Sequence, residues 1–268
     1  MKWQVLDATA HRHHGWRRPT GLVLARQEVF APLVLAELAP ALPQYPLALA
    51  RLPDGNYCLG AVLGLTAGQN LWMDDSARWR GGYVPSCYRG HPFALQRLPG
   101  EDARVALCFD LDSGLYCEAP EAARGELRFF DDDGQPQAVT QQMLQFLQTR
   151  LTAQAQTQAA VNALAQADLL IPWTWTATLP LPPGAQPLQG LYRVDESRLN
   201  QLDAAGLLAL RQAQALPVAY AQMFSMPRLA VLQKMAATPT PAPPPAPDLS
   251  AVQKLFEPGQ PDTIQFNW

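Results

Sequence analysis

Between Trp72 and Phe93 lies the chain's richest cluster of arginine, aromatic and acidic side chains: Trp72, Asp74, Asp75, Arg78, Trp79, Arg80, Tyr83, Tyr88, Arg89 and His91. Guanidinium forks grip carboxylates at two points. Flat rings bury large areas while freezing few torsions, so the mixture suits recognition of a partner. It equally suits a loop clamped onto a sheet by its rings, with its arginines paired to Asp74 and Asp75. On the recognition reading the binding residues are Trp72, Asp74, Arg78, Trp79, Arg80, Tyr83, Tyr88, Arg89 and His91, joined from downstream by Tyr192 and Arg193.

Other spacings suggest chemistry and then fall short of it. Asp110-Leu111-Asp112 follows an apolar run, as in phosphatases that use one aspartate as nucleophile and the next as acid. Gly114 stands where a threonine or valine belongs, and no downstream lysine serves that chemistry before Lys234, so a strand ending in a polar turn is expected. Asp131-Asp132-Asp133-Gly134 lacks the closing glutamate of a calcium loop and reads as a turn. His11, His13 and His14 have no cysteine or carboxylate at ligand spacing. Cys87 and His91 are four apart, but Pro85, Gly90 and Pro92 argue against a helix that would align them. There is no G-x-S-x-G elbow and no G-x-G-x-x-G after a strand. Neither a catalytic residue, a metal nor a cofactor is assigned; acid–base work would need Asp74, Asp75 and Asp110 to meet in space.

Composition narrows the field further. The 268 residues carry 20 basic and 23 acidic side chains, a net charge of −3, so no basic excess exists for nucleic acid. The only lysines are Lys2, Lys234 and Lys254, which excludes a Walker A lysine and an internal Schiff-base lysine. Asp7 arrives before any apolar leader develops, and the apolar stretch from Phe30 to Leu52 contains Glu37 and four prolines, so no membrane span is expected. Four cysteines without C-x-x-C spacing fit reduced thiols and a cytoplasmic location.

These residues must be positioned by an α+β fold: a curved, mostly antiparallel sheet, with helices packed on it in the C-terminal half. Tyr45–Leu52 and Asn56–Leu63 flank Pro53-Asp54-Gly55 and predict a hairpin. Arg104–Asp110 and Glu126–Phe130 read as strands. Thr140 caps a helix running to Asp168, with Leu144, Leu147, Leu151 and Ala155 on one side and glutamines on the other. Trp173–Leu181 reads as a strand turning at Pro182-Pro183-Gly184 toward Gly190–Val194. Asp195 and Asp203 cap two helices, the second ending before Pro217, and a last short helix follows Ser225-Met226-Pro227. Residues 1–237 form the domain; 238–247 (T-P-T-P-A-P-P-P-A-P) are a proline-rich linker, and 248–268 a tail.

Several motifs carry a resemblance. Trp79-Arg80-Gly81-Gly82-Tyr83-Val84-Pro85 with Arg89-Gly90-His91-Pro92-Phe93 resembles a core motif of the SapC-like family, and Gly190-Leu191-Tyr192-Arg193-Val194-Asp195-Glu196 resembles a second. Leu63-Gly64-Leu65, Asn70-Leu71 and Ala219–Met223 also fit, so the likeness spans about Tyr45 to Met235. The family is named after a gene linked to a bacterial surface-layer locus and has no firmly attached activity. The resemblance implies a cytoplasmic protein; related genes beside halogenase-like and oxygenase-like genes imply an accessory or peptide-handling role. A non-enzymatic binding or accessory protein is therefore expected, with a protein or peptide partner; the tail at 248–268 reads either as a docking segment or as a disordered terminus. The alternatives are an enzyme acting on a small anionic or peptidic substrate, and a structural surface-layer subunit.

Overall fold

The computed structural model describes residues 2–98, 105–174 and 188–237. Eleven strands are seen among them: β1 (Trp3–Val5), β2 (Gly15–Trp16), β3 (Phe30–Pro32), β4 (Leu47–Arg51), β5 (Tyr57–Val62), β6 (Phe93–Arg97), β7 (Val105–Asp110), β8 (Tyr116–Cys117), β9 (Leu127–Arg128), β10 (Leu170–Pro172) and β11 (Leu191–Val194). The helices are α1 (Leu38–Ala41), α2 (Ser86–Arg89), α3 (Ala138–Gln166), α4 (Glu196–Asn200), α5 (Ala204–Gln212), α6 (Ala215–Ser225) and α7 (Leu229–Ala237).

The α+β architecture with antiparallel pairing is as expected, and the strands divide among three sheets. The largest runs β10-β11-β4-β5-β3; two smaller ones run β1-β7-β6 and β8-β2-β9. The β4–β5 hairpin forms where Pro53-Asp54-Gly55 predicts it, with Leu49 opposite Leu59 and Gly55 at φ +86°. Two cores result. Leu47, Leu49 and Leu59 of the large sheet, with Leu63 just past β5, bury against Val161 and Leu164 of α3 and Val218 and Ala219 of α6. The second core is aromatic: Phe109 lies 5.1 Å from Phe93 and 5.2 Å from Phe129, and Trp16 stands edge-on to Phe93 at 4.9 Å. Helix α3 joins both, because its early Leu147 packs in the aromatic core while its late Leu164 packs in the aliphatic one.

Some boundaries shift for local reasons. Helix α3 begins at Ala138, so Thr140 is not its cap; it sits buried inside the first turn with its hydroxyl unpartnered among the described residues. The helix ends at Gln166, and Pro172 closes β10, which pairs with β11. The strand expected at 173–181 and its turn lie mostly outside the described residues, as do the linker and tail. Pro217 falls in the first turn of α6 instead of ending α5, a position where its missing N–H is harmless. Asp195 and Asp203 cap α4 and α5 as expected, accepting from Ser197 N and Gly206 N. Among the described residues no helix is long and apolar enough to cross a membrane.

Gly64, just past β5, has no room for a side chain: an added Cβ would lie 2.0 Å from the Gln69 carbonyl oxygen. Gly64→Ala should therefore lower unfolding stability by about 2 kcal/mol, read by chemical denaturation. Phe109→Ala should remove about 3–5 kcal/mol by emptying the aromatic core.

Candidate functional site

The Trp72–Phe93 segment is fastened at three levels. At its start, Asp74 builds a tight turn: its Oδ1 accepts from Ser76 N (2.9 Å) and Arg78 N (2.8 Å), and its Oδ2 from Arg78 Nε (3.1 Å). Burial raises the Asp74 pKa, but these hydrogen bonds and the Arg78 charge outweigh it and hold the carboxyl below its usual range. Met73 and Trp79 bridge across this turn. Next, the rings interlock. Tyr45, fully buried, meets Trp72 edge-on at 4.7 Å, accepts from Trp79 Nε1 at 3.0 Å, and donates to the Tyr83 carbonyl oxygen. Tyr88 tilts against Trp79 at 5.6 Å.

The third fastening is a buried carboxylate that sequence reasoning did not select. Glu37 is only 3% exposed. Its Oε1 accepts from Tyr83 Oη (2.7 Å) and Ser86 N (2.6 Å), and its Oε2 from Ser86 Oγ (2.7 Å) and Val34 N (3.0 Å). Arg150 of α3 reaches the same point, donating from Nε to Ser86 Oγ at 3.1 Å. Burial and Glu37 both push the Tyr83 hydroxyl pKa up, so it stays a donor. The one signal available was Glu37's isolation as the single charge in an apolar stretch from 30 to 50.

The sequence-selected residues thus divide into two groups. Trp72 and Tyr88 are buried; Trp79 and Tyr83 are half-buried in the clamp, and Asp74 and Arg78 are paired with each other. Arg89 is exposed, yet its guanidinium lies over Tyr83 and Phe146 at 5.5 and 5.3 Å and donates to Tyr83 Oη. His91 is half-buried, and burial lowers its pKa against the opposing charge of Asp110. Tyr192 and Arg193 go elsewhere: Tyr192 meets Tyr57 edge-on at 4.9 Å, and Arg193 donates to the Val194 carbonyl. A one-turn helix, α2, forms despite the flanking prolines, but it stops at Arg89, short of His91. The Cys87 thiol inside it is pushed up to about 12, chiefly by burial, and so stays protonated.

Arg80 alone of the selected arginines has no side-chain partner among the described residues. It lines an open groove of about 390 Å³ together with Arg26, Asn70, Asp74, Asp75 and Met235. Arg26 is oriented there by its hydrogen bond to the Asp75 carbonyl at 2.8 Å. Asp110, the acid of the D-x-D pair, lies apart: it is buried and accepts from Lys2 N and Asp112 N, capping a 3-10 turn that ends at Gly114. Asp131 likewise closes a turn, onto Asp133 N and Gln135 N.

Fold and site together define an antiparallel α+β protein whose aromatic loop is locked in place by a buried carboxylate, beside a groove lined by two arginines and two aspartates. A family model, described as SapC, matches residues 6–232, and the chain belongs to the SapC family. That match extends the likeness read from the motifs toward the N-terminus, across Glu37 and Arg26. No curated protein and no solved structure matches the chain.

Glu37→Gln places an amide among four donors and should lower stability by about 3 kcal/mol in chemical denaturation. Asp74 gives a pH test. Because its folded pKa is depressed, the stability it adds is full above the unfolded carboxylate value and is lost as pH falls through the folded one. Asp74→Asn should therefore flatten the stability-against-pH curve below about pH 4.

Proposed function

We propose that this protein is a non-enzymatic binding or accessory protein that engages an acidic or carboxylate-bearing segment of a protein or peptide partner. The recognition surface is the Arg80 edge of the Trp72–Phe93 loop with the groove beside it. The observation that carries the reading is the contrast within the loop: its aromatic residues and Arg78 are engaged in holding it, while Arg80 is offered to solvent beside Arg26. A guanidinium held on a rigid loop loses little freedom when it grips a carboxylate, which favours binding. The state of the acids also favours binding over catalysis. Asp74 is paired, with its pKa lowered, whereas a general acid at neutral pH needs a raised one. The cytoplasmic location expected from the cysteines belongs to this reading, and cell fractionation tests it.

The experiment is native mass spectrometry on tagged full-length protein isolated gently from its own host. A stoichiometric protein or peptide partner is expected, and Arg80→Glu should abolish it with an unchanged melting temperature. Arg89→Ala, by contrast, should lower stability by about 1 kcal/mol through its lost ring contacts. Retention of the partner by Arg80→Glu, or turnover of a substrate by the purified protein, would overturn the proposal.

A further inference from the structure

Among the described residues, helices α5 and α6 each carry large apolar side chains that are exposed. Phe224 is 68% and Tyr220 43% exposed, and their rings stack at 6.1 Å, one turn apart along α6. On the adjoining α5, Leu207 and Leu208 are also exposed. Single exposed apolar residues are ordinary, but a stacked aromatic pair on one helix, with two leucines exposed on the helix packed against it, favours cover. The same stretch is one-signed: from Ala204 to Ala237 the chain carries Arg211, Arg228 and Lys234 and no acidic residue.

The complement is written further along the same chain. Residues 248–268 hold Asp248, Glu257 and Asp262 against the single cation Lys254, and Leu249, Val252 and Phe256 fall at the spacing of one helical side. We propose that this segment docks on the α5–α6 face of its own chain, its apolar residues covering Tyr220 and Phe224 and its carboxylates beside Arg211 and Arg228. The tether is long enough. Phe224 and Ala237 are separated by at most about 20 Å if the chain between them is wholly helical. The proline-rich residues 238–247 can span about 31 Å in an extended left-handed helix, enough to return. A tether of that length holds the segment near its target at about millimolar effective concentration, which a second copy at ordinary protein concentrations does not reach.

The test uses the full-length chain with a photoactivatable benzoylphenylalanine in place of Phe224, an exposed position that leaves both cores intact. Irradiation followed by peptide mapping should give cross-links to residues 248–268 in species of monomer mass. Cross-links to those residues only at dimer mass would assign the face to a second copy and overturn the proposal. Cross-links only to other segments would overturn it too. In the same chain, Leu249→Ser with Phe256→Ser should lower the monomer cross-link yield about tenfold with the melting transition unmoved. An unchanged yield would show that the apolar residues do not make the contact.

Discussion

A single buried carboxylate holds the Trp72–Phe93 loop in place. Taking Glu37 out of water is costly unless its oxygens are met by donors, and here four converge on it, from Val34, Tyr83 and the backbone and hydroxyl of Ser86. The donors come from segments about fifty residues apart in sequence, so the charge is satisfied only when the loop lies in one position. Arg150 extends the constraint to α3 through Ser86. Apolar packing alone would let the loop slide; a buried acceptor with directional partners does not.

Helix α3 transmits that constraint to the rest of the molecule. At 29 residues it is about 43 Å long, enough to run from the aromatic core to the aliphatic one. Its sparse apolar positions and abundant glutamines suit this role, since each core takes a few residues and the remaining surface meets solvent. Arg150 sits between the two contacts, so the loop is registered against the element that ties both cores together.

The result is a division of labour inside one motif. Tyr45, Trp72, Trp79 and Tyr88 pack their rings on one another, and the hydroxyls of Tyr45 and Tyr83 are spent on the Tyr83 carbonyl and on Glu37. The sequence-level choice between a recognition loop and a clamp therefore has no single answer. Most of the motif is clamp; Arg80 and Arg89 are exposed, and of the two Arg80 lines the groove. The neighbouring Arg26 comes from a segment the motif does not contain.

The sequence by itself determined the antiparallel α+β class, the β4–β5 hairpin, the caps at Asp195 and Asp203 and the family, because each is encoded by residues close together in the chain. Turn residues, caps and periodic apolar positions act over a few residues, so their signals can be read locally. The same local logic reads Asp110 and Asp131 as turn residues, and each accepts backbone N–H groups that close a turn. Only the tertiary structure decided which member of the aromatic–arginine cluster is spoken for. That depends on Glu37, Tyr45 and Arg150, which lie about 30 to 70 residues from the loop, and of these Glu37 alone stands out locally, as the single charge of its apolar stretch. It also separated Tyr192 and Arg193 from the loop, since strand pairing of β11 with β4 places Tyr192 against Tyr57. Side-chain partnership across such distances is set by packing, and spacing along the chain carries no record of it.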